Sequence, residues 1–242
     1  MITMKYLKDG AIKLGLHLNP TQLEQFQIYY QELVGWNRIV NLTTITDFKE
    51  VQIKHFLDCL TVILPFKPSI KDTGFSLIDI GTGAGLPGLP VKIAFPCVKL
   101  VLLEATAKKE AFLVHLKQKL GLDDVEIVVG RAEDVAHEIR FREQFNIVLS
   151  RAVAPLPTLV ELALPLCAIG GSFIAHKKGT INLEISKATR AISLLGGSLR
   201  QVKRIDLEEF PDKRYLIIIA KVLPTPKLYP RRSGIPSKRP IL

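Results

Sequence analysis

An apolar run, Leu77-Ile-Asp-Ile80, leads straight into Gly81-Thr-Gly-Ala-Gly85-Leu-Pro-Gly88, which holds four glycines in eight residues. Glycines cost chain entropy and serve where the backbone must take positive φ or lie against a ligand. The chemistry on offer is therefore capture of a nucleotide or anion at a strand-to-helix turn, with a helix starting near Pro87. The candidate occupants are a nucleoside triphosphate, a nicotinamide dinucleotide, S-adenosylmethionine, or none. A triphosphate loop needs a lysine and a hydroxyl after Gly88, where Leu89 and Pro90 stand. Gly83, Gly85 and Gly88 satisfy the dinucleotide spacing literally. Register from the strand end discriminates better: Asp79 followed by Gly81, Gly83 and Gly85 is the Asp-x-Gly-x-Gly-x-Gly form typical of methyltransferases.

About 20 residues further on, Glu104 ends the next β-rich run, where an acid can accept hydrogen bonds from both hydroxyls of a ribose. That fits an adenosine-containing ligand and does not separate NAD from S-adenosylmethionine. In Gly130-Arg-Ala-Glu-Asp134 the Ala132 backbone and the Glu133 side chain are placed to fix a base edge; the alternative is a helix start. Around Ser150-Arg-Ala-Val-Ala-Pro155 there is neither the Asn/Asp-Pro-Pro-aromatic motif of amine methylation nor a cysteine nucleophile. Cys97 precedes the second strand and is expected to be a packed thiol. A ring nitrogen such as guanine N7 has a free lone pair and needs no general base, only alignment and exclusion of water. No catalytic residue is assigned on this scheme. Arg151 is the positioning candidate, toward a cofactor carboxylate, an RNA phosphate or a guanine edge, or else it pairs with a nearby acid. His55 and Asp58 lie one helical turn apart and are expected to make a helix-surface contact. The five histidines are scattered, with no Cys-x-x-Cys or His-x-x-x-His pair, so no metal site is expected.

These groups need a scaffold. Residues 1–70 read as a helical layer. Leu23, Phe26, Tyr30 and Leu33 recur at helical spacing behind Asn19 as cap, and Asp47 with Glu50 resembles a capping box for a helix running through Leu64. From 71 to 223, short β-rich runs (77–80, 99–104, 125–129, 146–150, 172–175) alternate with helices, the clearest at 107–120. This predicts a parallel sheet. The runs 199–205 and 215–222, joined by a short acidic loop, have no room for a helix between them and should pair antiparallel. By analogy this is the α/β fold of class I S-adenosylmethionine-dependent methyltransferases: a Rossmann-like seven-stranded sheet with its last strand antiparallel and, here, an N-terminal helical extension. In that fold the methionyl end of the cofactor lies along the turn from Asp79 through Gly85. Residues 224–242, with five prolines, should be extended, docked or partly disordered.

The chain is long enough for one principal domain, and its formal charge is +10. Eight of its 33 basic residues follow Asp212 with no acid among them, so the body is nearly neutral and the C-terminal segment carries the field. A polyanionic partner suits it; a solvated tail is the plainer alternative. Three widely spaced cysteines fit a reduced, cytoplasmic interior, and no signal peptide or membrane span is expected.

Several segments together resemble a known family. They are Trp36-Asn-Arg-Ile-Val-Asn-Leu-Thr43, His55-Phe-Leu-Asp-Cys-Leu60, Asp79 through Gly88, Leu102-Leu-Glu-Ala105, Lys108-Lys-Glu-Ala-Phe-Leu113, Ser150-Arg-Ala-Val-Ala154, and Tyr229-Pro-Arg-Arg-Ser-Gly-Ile-Pro-Ser-Lys238. The chain is similar over nearly its whole length to the bacterial small-subunit ribosomal RNA guanine-N7 methyltransferases, also called glucose-inhibited division protein B. The resemblance implies methyl transfer from S-adenosylmethionine to N7 of a guanine in 16S rRNA, on the RNA or the small subunit. It implies cofactor contacts from Gly81, Leu86, Glu104, Ala105, Thr106, Ala132, Glu133 and Arg151. The chain departs from the family at Cys59, commonly serine, and at Glu104-Ala105, often Asp-Ser. Arg231, Arg232, Lys238 and Arg239 then become a candidate RNA clamp. The expected form is a monomer. An NAD-dependent oxidoreductase and a non-catalytic RNA-binding protein remain as the alternatives.

Overall fold

The computed structural model describes residues 3–66 and 75–242; the expected domain boundary at 70/71 lies outside the described residues. Seven strands, β1 (Ser76–Ile80), β2 (Lys99–Glu104), β3 (Val125–Val129), β4 (Phe145–Arg151), β5 (Cys167–Lys178), β6 (Gly197–Ile205) and β7 (Arg214–Lys221), form one sheet in the order β3-β2-β1-β4-β5-β7-β6. The first five pair in parallel, while β7 runs antiparallel to both β5 and β6. Each inner strand is apolar on both faces because both are covered. Leu77, Leu100, Leu102, Ile147, Leu149, Leu216 and Ile218 enter one core. Their neighbours Ile78, Val101, Leu103, Val148, Ile217 and Ile219 enter the other, as the two-residue pleat requires.

The first core is closed by helices α1 (Lys5–Lys13) and α2 (Pro20–Asn37), by the helical stretch 48–66, and by α5 (Gly88–Ala94) and α6 (Ala107–Lys119). The second lies under α7 (Ala132–Val135), α8 (Leu156–Ala163) and α9 (Asn182–Leu194). Asn19 caps α2 as expected, in a reciprocal box with Gln22. The inward face of α2 is turned from the expected one: Phe26, Tyr29 and Leu33 are fully buried, whereas Leu23 and Tyr30 are half-buried. The single helix expected from Asp47 to Leu64 is α3 (Phe48–Glu50), a π-helical stretch Val51–Leu57, α4 (Asp58–Leu60) and a 3-10 stretch Thr61–Phe66 containing Pro65. Only half of its capping box forms, Asp47 accepting from Glu50 N, because Glu50 pairs with Lys54 instead. The wider winding sends Gln52, His55 and Phe56 all inward.

Strand order reverses between β1 and β4, so the loops after these two strands diverge and leave a crevice at their carboxyl ends, where such sheets bind ligands. The C-terminal segment is docked, ending in a short helix α10 (Ile235–Lys238). Buried Lys221 pairs with Glu143 at 2.9 Å, and the Arg142 guanidinium donates to the carbonyls of Thr225, Pro226 and Tyr229. Arg231 forms a bidentate pair with the fully buried Glu161, Nε–Oε1 2.8 Å and Nη2–Oε2 2.6 Å. Arg231→Ala strands that carboxylate without its cation and should cost roughly 3 kcal/mol in urea unfolding, whereas a double Leu replacement should cost much less. Equal losses in the two would exclude the buried charge as the cause.

Candidate functional site

Asp79, the fourth residue of β1, sits beneath the glycine turn with no solvent exposure. Its Oδ2 accepts from Thr82 Oγ1 at 2.6 Å and Gly88 N at 2.9 Å, while Oδ1 is buried with no partner. Burial raises its pKa to about 7, against the pull of those two donors. Gly88 is dictated by this packing: a Cβ there would fall 2.7 Å from Leu102 Cδ2 and 3.1 Å from Asp79 Oδ2. Gly83, with φ +61°, is needed for its conformation, and the space a Cβ would take is open. The Tyr29 hydroxyl reaches over from α2 to donate to Ala84 O at 2.5 Å.

The turn's amides are largely spent inside the protein. Gly81 and Thr82 donate to Leu103 O, Gly83 to Glu104 Oε2, Gly85 and Leu86 to Thr82 O, and Gly88 to Asp79. The helix that follows is only seven residues long, and its first N–H points at a carboxylate rather than outward. The expectation of an open helix N-terminus facing the ligand is thereby corrected. What remains is a turn with few free N–H groups over a buried acid, a setting that disfavours a pyrophosphate.

Glu104 closes β2 beside the turn: Oε2 takes Gly83 N and Oε1 takes Thr106 N, both at 2.9 Å. A carboxylate has about four acceptor positions, so capacity for a ribose remains. Ala105 and Thr106 are exposed next to it, and Leu86 is buried in the turn. Ala132 and Glu133 are buried where α7 starts, so Glu133 does begin a helix, and its Oε1 accepts Gly234 N of the docked tail at 3.0 Å. The tail thus forms a wall beside the expected base edge.

Arg151 leaves the end of β4 and turns toward the N-terminal layer. Its Nε pairs with Asp58 Oδ2 at 3.0 Å, and Nη2 donates to Lys54 O at 2.7 Å. Asp58 also pairs with Arg214 of β7 at 2.5 Å. Burial pushes Asp58 up, but Arg151, His176 and Arg214 together outweigh it and hold the carboxyl below the usual range. The expected surface contact between His55 and Asp58 is corrected: both are buried, and each bonds elsewhere. His55 meets Thr43 Oγ1 at 2.7 Å, and burial, then Arg151, lowers its pKa to about 4. Cys59 is buried beside Arg151, and burial pushes its thiol up to about 12, so it stays protonated. Cys97 is exposed rather than packed, in the turn before β2 at the opposite end of the sheet.

The site thus gathers Asp79, the glycine turn, Glu104 and Arg151. Arg232, Lys238 and Arg239 lie exposed on the tail, and Arg231 is committed to Glu161. Tyr29, Thr82, Arg214 and His176 belong to this neighbourhood and escape the sequence reading. Only Tyr29 had a signal, three residues after Phe26 and four before Leu33.

The fold is that of class I S-adenosylmethionine-dependent methyltransferases. Solved structures share the fold at low identity. A 16S rRNA adenine-N(1)-methyltransferase from Catenulisporales acidiphilia aligns with TM-score 0.51 and 15% identity over 64% of this chain and 88% of its own. The YcgJ protein of Bacillus subtilis aligns with TM-score 0.52 and 14% identity over 70% of this chain and 100% of its own. The sequence is more specific. The family model described as rRNA small subunit methyltransferase G matches residues 22–213. Proteins named ribosomal RNA small subunit methyltransferase G from Dehalococcoides mccartyi and Roseiflexus castenholzii are each 49% identical. The first match covers 99% of this chain and 100% of the relative, the second 96% and 97%. The chain belongs to the rRNA small subunit methyltransferase G family. Among the described residues no helix is long and apolar enough to cross a membrane.

Because folding raises the Asp79 pKa from 3.8 to about 7, protonation favours the native state. Its contribution is full below pH of about 4 and lost as pH rises through about 7. Asp79→Asn should therefore gain stability relative to the parent as pH rises over that window, followed by thermal melts. A pH-independent difference would show that Asp79 is ionised throughout.

Proposed function

We propose that the protein transfers the methyl group of S-adenosylmethionine to N7 of a guanine in 16S rRNA, acting on the RNA or the small subunit. The observation that carries the cofactor assignment is the buried acid beneath a turn whose amides are already spent. The Asp79 carboxyl buried beneath the turn suits a positive charge held above it, and Glu104 suits the ribose of that cofactor. Backbone at Gly81, Gly83 and Gly85, with Leu86, Ala105, Thr106, Ala132 and Glu133, completes the binding surface. The same carboxylates weigh against a dinucleotide, whose pyrophosphate would meet two acids and no free helix terminus. When bound, the cofactor supplies a sulfonium methyl group to the N7 lone pair, and the carbon–sulfur electron pair leaves with sulfur.

No proton leaves N7, so the chain needs no general base. This agrees with a β4 loop of Arg-Ala-Val-Ala and with His55 held neutral. The protein's work is to align and to exclude water. Arg151, fixed by Asp58, is the positioning residue. The exposed Arg232, Lys238 and Arg239 supply non-specific attraction for phosphates, with the tail itself anchored through Arg231. We place the enzyme, as a monomer, in the cytoplasm with its ribosomal substrate.

Incubation with small subunits and S-adenosylmethionine should create one borohydride- and aniline-sensitive guanine, and Glu104→Ala should weaken cofactor binding roughly tenfold. Cofactor binding with no scission in subunits or free RNA would leave a non-catalytic RNA-binding protein. Binding of NAD(H) instead would leave the oxidoreductase. Replacing Arg232, Lys238 and Arg239 together by Ala should flatten the dependence of log affinity on log salt by about 2. An unchanged slope would remove the tail from the RNA interface.

A further inference from the structure

Ala84 stands in the glycine turn between Gly83, with φ +61°, and Gly85, with φ +88°. A glycine accepts either sign of φ, so local chain stiffness does little to fix the peptide plane that joins Ala84 to Gly85. A bond at each end of the plane fixes it instead. Gly85 N donates to Thr82 O at 3.0 Å within the turn, and Ala84 O takes the Tyr29 hydroxyl at 2.5 Å from α2, 55 residues away.

Tyr29 is held firmly for that contact. It is fully buried, its ring packs on Phe56 at 5.0 Å between centroids, and burial raises its pKa well above the usual phenol value, so the hydroxyl stays a donor. A Cβ on Gly85 would lie 2.9 Å from the Tyr29 hydroxyl, so ring and turn are in direct contact. Two turns earlier on the same face of α2, Gln22 Nε2 donates to Ile93 O at 2.8 Å and Ala94 O at 3.2 Å, at the far end of α5. Helix α2 therefore lies antiparallel along residues 84–94 and grips that segment at both ends. The turn's other bonds run to itself and to the sheet, through Thr82 O, Leu103 O, Glu104 and Asp79.

We propose that Tyr29 is a positioning residue for the cofactor: its hydroxyl sets the Ala84–Gly85 peptide plane, and with it the stretch of turn that receives the methionyl end of S-adenosylmethionine. The adenosine end falls to Glu104, whose own bonds are to Gly83 N and Thr106 N. Removing the Tyr29 hydroxyl leaves the carbonyl of buried Ala84 without its donor and frees the plane to turn over, so the cofactor must restore the order as it binds. The cost falls on binding and not on methyl transfer, because the bound turn has one shape in either protein. This role rests on the methyltransferase reading above and adds the residue through which the N-terminal layer serves the cofactor.

The test uses full-length protein and two ligands, S-adenosylhomocysteine and 5′-methylthioadenosine, the second keeping the adenosine and lacking the amino-acid end. Tyr29→Phe should weaken S-adenosylhomocysteine roughly tenfold in calorimetry and leave methylthioadenosine within about twofold of the parent. On small subunits it should raise the KM for S-adenosylmethionine roughly tenfold and leave kcat at saturation within about twofold. Gln25→Ala is the control, since that side chain also leaves α2 for a distant carbonyl, Leu120 O at 2.7 Å, and should leave both affinities unchanged. Equal weakening of both ligands by Tyr29→Phe marks general loosening and overturns the proposal, as does a Gln25→Ala protein that discriminates between them in the same way. Parent protein that binds neither ligand defeats the methyltransferase reading and this proposal with it; a parent that binds both, with Tyr29→Phe indistinguishable from it, defeats the positioning role alone.

Discussion

Asp58 is one carboxylate shared by two arginines from different parts of the sheet, Arg151 at the end of β4 and Arg214 at the start of β7. It comes from the helical N-terminal layer, so a single buried charge cluster ties that layer to the carboxyl edge where the site lies. Such a cluster contributes little net stability, because desolvation offsets most of the attraction, yet losing one member leaves a buried charge unpaired. What it supplies is position. Arg151 is fixed, and the loop behind it is bent through Ala152. The π-helical winding of Val51–Leu57 belongs to the same constraint, since it delivers His55 to one side of Arg151 and leads directly into Asp58 and Cys59 on the other.

The second organising element is the acid under the glycine turn. Sequence patterns for dinucleotide and S-adenosylmethionine loops overlap, and Gly83, Gly85 and Gly88 match the first as literally as Gly81, Gly83 and Gly85 match the second. Electrostatics separates them where glycine counting does not. A turn whose N–H groups are consumed by Thr82 O, Leu103 O, Glu104 and Asp79 has little to offer a pyrophosphate. A buried carboxyl beneath it, its pKa raised by burial, gains from a neighbouring positive charge.

The basic tail divides into two kinds of charge. Arg231 is inward, bonded to Glu161 and to the carbonyl of Arg239, and Gly234 is bonded to Glu133 beside the cofactor crevice. Arg232, Lys238 and Arg239 face solvent. Thus the segment that carries these exposed charges is also packed against Glu133 at the wall of the crevice.

Much of this architecture was written locally. Short apolar runs between turn signals located β2 and β3 to the residue and the other strands to within a few, except β5, which extends well beyond its apolar centre. Asp79, the glycines and Glu104 stood out through their spacing along one strand–turn–strand unit, and the fold brings them together. The tertiary structure decided what no local pattern carries. It chose Tyr29 over Tyr30 as the residue facing the turn, turned His55 and Asp58 inward, exposed Cys97, and committed Arg231 to Glu161, 70 residues away. It also brought His176, Thr61 and Tyr215 around one cavity. Periodicity and turn chemistry are properties of adjacent residues and survive in the one-dimensional text. The partner of a buried charge is set by which distant elements pack together, and only the folded chain fixes that.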